Sequence, residues 1–404
     1  MKYTIACILV SSVAAGCGTA RSQQAGNTLN VGAGTTLEAA VSRARSGDVI
    51  TLPEGTFPGG IKLPDGVSLR GAGFRKTILD ARKVEVGLSI NGGSGAEVAD
   101  LTISGATRTD LAVKGASAVA VRRVRTTGSI NGIQFTDVDK GRIENVVSDD
   151  NRYGILVGGG SDNVVVNCTM ARNAGIGLSL ASGARPSAFN NCVAEGSTGV
   201  YVGESVVGPK LDHNLYFTLF TGKMGEQLGR RSLGDWKYLS GLDARSVQMP
   251  VKFQGPATGD YRPIGALGWS LERAVTSDWG IAALGGVDAP DRDIDGQPRV
   301  GRTDLGAFEV ALTPPRPADG VVKVASGAGL TSAGVFEPKG HEVEYLFHNM
   351  PMEAGEYPFW LASRDFLGRP IPPGGYEVRS VESDFRWAYL GWIGDNGEAY
   401  PSSK

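Results

Sequence analysis

Between Leu111 and Val202 the chain repeats itself every 22 or 23 residues. Cut at that interval, the alternating triplets Leu111-Ala-Val113, Ile133-Gln-Phe135, Ile155-Leu-Val157, Leu178-Ser-Leu180 and Val200-Tyr-Val202 fall one beneath another. A second apolar strip recurs in phase at Val124, Val146, Cys168 and Cys192, while Leu88-Ser-Ile90 and Leu101-Thr-Ile103 carry the pattern one turn earlier. Triplets alternating with period two read as short strands. No single coil of such strands can bury its apolar face, but stacked coils can, so a fixed period of this length predicts a parallel β-helix with a column of Val, Ile, Leu and Cys inside it.

Composition narrows the possibilities further. The 59 glycines follow no collagen period, so they serve turns between strands. With 40 basic against 42 acidic residues and no basic stripe, nucleic acid is not an expected partner. Cys168 and Cys192 are expected to stack as apolar side chains in neighbouring coils rather than to form a disulfide.

The N-terminus has its own logic. Met1-Lys2, the apolar run Tyr3 to Val13 and Ala14-Ala15-Gly16-Cys17 read as a signal segment over residues 1–17, too short to span a bilayer as a mature helix. The run resembles a bacterial lipoprotein signal, which implies lipidation of Cys17 and a membrane-anchored protein of the cell envelope; ordinary cleavage nearby would release a secreted one. Residues 18–27 are a polar tether. Thr36 to Arg45 then has the apolar spacing of a short helix, with Thr36 as N-cap.

That helix and the stretch Gly47-Asp-Val-Ile-Thr-Leu-Pro-Glu-Gly-Thr-Phe57 resemble the opening of the pectate-lyase-like superfamily of right-handed parallel β-helix proteins. The resemblance covers roughly residues 28–310. It implies a right-handed coil, with a helix cap over 36–45, coils from about 61 to 217, and an excursion with a C-terminal cap over 218–310. Asp212-His-Asn-Leu-Tyr216 and Asp291 to Glu309 are similar to segments at the C-terminal end of many secreted β-helix proteins, which implies that they plug the far end. Residues 311–320 form a Pro-rich linker, and 321–404 read as a small β-sandwich. Gly368 to Arg379 resembles an immunoglobulin-like module of flagellar hook-capping proteins. The fold class is therefore all-β, a right-handed parallel β-helix followed by a small β-sandwich.

Chemistry is harder to place, because no triad motif, zinc spacing or phosphate loop occurs. Aligning the coils puts Asp149, Ala171 and Glu195 in one column and Asp150 and Arg172 in the next, with Arg152 and Tyr153 following in the same turn. Asp149 and Glu195 then stand two coils apart, roughly 9.6 Å between backbones at ~4.8 Å per coil. That is near the ~6.5–9.5 Å carboxyl separation of inverting glycosidases. Asp149, Asp150, Arg152, Arg172 and Glu195 are the candidate catalytic groups, with Tyr153 and Tyr201 as substrate-binding rings. The competing reading is an ion-paired, solvated corner.

Polysaccharide lyases of the resembled superfamily imply a different arrangement, a cation beside a uronate and a Lys or Arg base, roles for which Lys114 and Arg142 are the candidates. Asp291, Asp293 and Asp295 match the first half of a calcium loop, although Arg302 stands where its last ligand belongs. Two functions follow as expectations. One is an exported protein acting on polysaccharide, as a lyase or glycoside hydrolase with calcium possible. The other is a non-catalytic surface protein that binds glycan or a protein partner.

Overall fold

The computed structural model describes residues 26–32, 34–225, 228–248, 251–264, 279–310, 319–325, 330–350, 354–359, 370–372, 374–383, 392–393 and 399–400. The signal segment with Cys17, most of the tether and most of the Pro-rich linker lie outside the described residues.

The triplets read from the sequence stack as strands. Leu111, Ile133, Ile155, Leu178 and Val200 are Cα partners in successive parallel pairs, and each is almost fully buried. They belong to a nine-stranded sheet that runs from Ile61–Leu63 to Leu228–Arg231. A sixteen-stranded sheet forms the rest of the coil wall. Its first rungs, Thr28–Asn30, Val49–Thr51 and Ser68–Arg70, already pair in parallel register, so coiling begins before residue 61, where the sequence pattern had placed its start. The predicted helix forms over Leu37–Arg43, and the Thr36 hydroxyl accepts the Ala39 N–H at 3.2 Å. Its buried Leu37 and Ala40 join the column core.

The coil between Thr169 and Cys192 is one residue longer than its predecessor: Val147 pairs with Thr169, and Thr169 pairs with Cys192. Cys192 therefore aligns with Thr169 and not with Cys168. Side chains alternate across a strand, so Cys168 faces the inner column and Cys192 faces an outer apolar layer. Both are free and buried, but the expected stack of the two thiols does not form.

The same extra residue shifts the turn asparagines. The left-handed turn positions are Asp100, Arg123, Asn145, Asn167, Asn190 and His213, with φ between 49° and 60°. Asn190, and not its neighbour Asn191, continues this column. Another column, at the corner that opens the nine-stranded sheet, reads Gly87, Asp110, Gly132, Gly154, Gly177, Gly199. Side chains there point inward, and a Cβ on Gly132 would come within 2.2 Å of the Ser148 hydroxyl. Asp110 alone places a carboxyl in that column, fully buried.

The far end is closed by the helix Leu233–Ser240. Trp236 is fully buried against the last coil, and its indole N–H reaches Asp243 at 2.8 Å. Tyr216 and Asn214 from the coil donate to the same carboxylate at 3.1 and 2.9 Å.

Residues 279–309 do not plug that end, as their resemblance implied. They lie as a strap along the outside of the sixteen-stranded sheet, and the turn asparagines hold them there. Asn145 donates to the Arg292 carbonyl at 2.7 Å, Asn167 to that of Asp304 at 2.8 Å and Asn190 to that of Ile281 at 2.8 Å. Val164, Val166 and Phe189 face outward beneath the strap and pack on Ile281, Leu284, Val287 and Ala289.

Small antiparallel sheets follow. Gly320–Val324 pairs with Gly355–Phe359, and Leu330–Phe336 pairs with both Glu342–Met350 and Glu377–Ser383, forming a small β domain. Val322, Val324, Ala333, Val335, Leu346 and Phe359 are buried in it.

Candidate functional site

The corner singled out by the sequence is real as a place, but its columns are offset by one residue above Ala171. Asp149 aligns with Ala171 and then with Ala194. Asp150, Arg172 and Glu195 form the next column, all three with left-handed φ of 54° to 56°. Glu195 is thus the vertical neighbour of Arg172 and not the partner of Asp149 across two coils.

Asp149 itself is sealed off. Its side chain is 0 % exposed and makes a two-pronged pair with Arg125, at 2.8 and 2.7 Å. The hairpin of Lys252–Gly255 and Asp260–Ile264 supplies Tyr261, whose hydroxyl donates to the same carboxylate at 2.9 Å. Burial raises the Tyr261 phenol far above its ordinary value, and the adjacent Asp149 charge adds to the effect. A carboxylate so enclosed cannot reach a substrate, which removes Asp149 from the catalytic candidates.

Outside this buried pair, Asp150 and Arg172 form an ion pair, and Glu195 is exposed one coil above. The hydrogen bond that Arg172 donates to Asp150 raises the guanidinium above its ordinary value. Next to them opens a cleft of about 590 Å³. Asn151, 3 % exposed, is its best-buried lining residue, with Ile176 half-buried beside it. Arg152 and Tyr153 form one wall, with the guanidinium carbon 5.3 Å from the ring centroid. Asp150, Ala174, Gly175 and Ser197 line the remainder.

The cleft exists because of the corner column that includes Gly175. In successive coils this column reads Arg108, Ile130, Arg152, Gly175, Ser197 and Leu219. Large side chains stop at Arg152 and resume at Leu219, leaving a gap two coils high. Asn151 pairs with Asn173, yet Tyr153 pairs with Ile176, so the extra residue of the longer coil is inserted at this gap. A Cβ on Gly175 would lie 2.9 Å from the Arg152 carbonyl and 3.0 Å from the Tyr153 ring. The drop in side-chain size was visible in the sequence once the 23-residue coil was placed correctly; spacing by charged residues alone passed over it.

Of the other candidates, Tyr201 lies on the outer face of the nine-stranded sheet between Ser179 and Lys223, away from the cleft lining. Lys114 and Arg142 do not come together. Lys114 ends a strand of the nine-stranded sheet, whereas Arg142 belongs to the sixteen-stranded one, where it pairs with Glu144 and donates to the Asp288 carbonyl of the strap at 2.6 Å.

The Asp291, Asp293 and Asp295 carboxylates do not converge on a cation site. Asp293 accepts the backbone N–H groups of Gln297 and Glu309, at 2.7 and 3.1 Å. Asp295 is held by Arg75 and Arg262, and Asp291 is exposed. The stretch is a turn of the strap, and among the described residues no group of three potential ligands gathers elsewhere.

Comparison with known proteins places the coils in context. A family model described as a right handed beta helix region matches residues 85–218. No curated protein matches the chain. An alginate lyase from Paenibacillus sp. str. FPU-7 superposes with a TM-score of 0.41 at 15 % identity, covering 55 % of this chain and 96 % of the lyase. A pectate lyase gives 0.37 at 13 % identity, over 68 % and 91 % of the two chains. The catalytic domain of an α-1,3-glucanase gives 0.36 at 16 % identity, over 47 % and 46 %. The family match and the parallel register of the coils together make residues 85–218 a right-handed β-helix.

Proposed function

We propose that this is an exported cell-envelope protein that binds polysaccharide at the corner cleft, anchored to the membrane through a lipid on Cys17. The observation that carries the reading is the composition of the cleft. It joins an aromatic ring, a guanidinium, a carboxylate and a serine hydroxyl within a space of sugar dimensions. Sugars present flat apolar faces flanked by hydroxyls, and such a lining meets both, the ring by stacking and the polar groups by hydrogen bonds.

A binding role suits the electrostatics better than catalysis. Asp149 is enclosed and Asp150 is tied to Arg172, so no free pair of carboxylates faces the cleft. One observation favours a second reading, hydrolysis. Asp150 and Glu195 are both exposed two coils apart, roughly 9.6 Å between backbones at ~4.8 Å per coil. A lyase reading has less support, since Lys114 and Arg142 are on different sheets.

The test is a screen of the purified protein against neutral and uronic polysaccharides, scoring retention in affinity electrophoresis together with reducing ends and unsaturated-product absorbance. Retention without product supports the binding role. Reducing ends that disappear in Asp150→Asn and Glu195→Gln support hydrolysis. The absence of both retention and product with every polysaccharide rejects the proposal.

A further inference from the structure

The cleft is short along the coil axis, and this restricts what it can hold. In the corner column Arg152 stands at one end and Leu219, 73 % exposed, at the other, with only Gly175 and Ser197 between. Three coil steps separate Arg152 from Leu219, roughly 14 Å between backbones at ~4.8 Å per step. Beyond Arg152 the next corner residue is Ile130, itself 43 % exposed, so the ridge continues and no trough leads away along that line. A polymer lying along the axis would have to climb over a guanidinium at one end and a leucine at the other.

We infer that the notch receives the end or a short branch of a glycan, about a trisaccharide in extent, and not the middle of a running chain. The inference rests on the carbohydrate-binding reading above and specifies the form of ligand that this site selects. Tyr153 forms one wall, the Ser197 hydroxyl and the Arg152 guanidinium supply polar contacts to fix orientation, and the Gly175 gap gives the terminal sugar its depth. Selection is made by shape: the two ends of the notch exclude what continues beyond them.

The experiment measures affinity by calorimetry for cello-, xylo- and galacturono-oligosaccharides from the disaccharide upward. It also measures binding capacity for one matching polysaccharide before and after partial cleavage at constant mass. The expected result is an affinity that levels off by the trisaccharide or tetrasaccharide, and a capacity that rises in proportion to the number of chain ends. Affinity that climbs steadily with length, or capacity indifferent to chain ends, overturns the inference while leaving glycan binding intact. Failure of every oligosaccharide and of the polymer to bind rejects the underlying reading instead.

Two variants make the test specific. Ser197→Gln, which fills the notch from above, should weaken short-ligand binding at least tenfold. Arg152→Ala combined with Leu219→Ala, which lengthens the notch by one coil as far as Ile130 and lowers its other end, should move the plateau to longer oligosaccharides. Circular dichroism and thermal midpoints establish that each variant is folded. A folded double variant that still levels off at the same length also overturns the inference.

Discussion

The phenol of Tyr261 donates a 2.9 Å hydrogen bond to Asp149, a residue 112 positions earlier in the chain. Together with Arg125 it encloses a carboxylate that has no exposed surface. Removing one partner of a buried pair leaves the other uncompensated, at a cost of roughly 3–5 kcal/mol. Asp149→Ala should lose about that much stability in urea denaturation, because Arg125 is left behind. Tyr261→Phe should lose only about 1–2 kcal/mol. Glycan retention by Tyr261→Phe should match the parent, since the ring lies outside the cleft lining.

The helical lid at the far end depends on another buried carboxylate. Asp243 accepts from Trp236, Tyr216 and Asn214 at 2.8 to 3.1 Å, and its burial raises its pKa despite these donors. Asp243→Ala takes the shared acceptor from four buried donors, the Ser246 hydroxyl being the fourth, at ~1–3 kcal/mol each. The variant should unfold at clearly lower urea concentration, and amide exchange at Trp236 should accelerate before exchange in the central coils does.

Asp110 gives the fold a distinct pH response. Burial, strengthened by the Asp149 charge, pushes its carboxyl up to about 8, although the Ala106 N–H donates to it at 3.0 Å. In the unfolded chain it titrates near ~3.9. The folded state therefore holds a proton that the unfolded state releases, and stability falls as pH rises. The loss is on the order of 1.4 kcal/mol per pH unit between about pH 4 and pH 8. Above that window it is complete. Asp110→Asn should flatten this slope, which urea midpoints measured from pH 5 to pH 9 will read.

The two thiols should be inert in the native protein. Burial raises both Cys168 and Cys192 to about 12, and the thiolate is the reactive form. A thiol reagent at neutral pH should label neither until denaturant is added, after which both should react.

The stacked triplets were legible because a strand's period is strict: a coil that lost the alternation of Ile133-Gln-Phe135 would turn its core face to water. The inserted residue near Gly175 was not legible, because a turn can absorb it without moving any buried side chain. One missed residue then shifted Cys192 and Glu195 into the wrong columns, and the proposed carboxylate pair with them. The strap escaped for a different reason. Its contacts with Asn145, Asn167 and Asn190 join segments that share no period. The continuous run Val164-Val-Val166 carried the only hint, since a strand apolar on both faces must be covered on both.

Three asparagines fasten the strap, and each also completes the left-handed bend of its own coil. Replacing one of them would therefore disturb two parts of the molecule at once, whereas the nearby insertion that shapes the notch disturbs neither. Variation between descendants of such a chain has an easy route through the bends that nothing grips, and a barred one where the outer band is tied down. The corner at Gly175 is free to change length because the strap grips the coils at other bends.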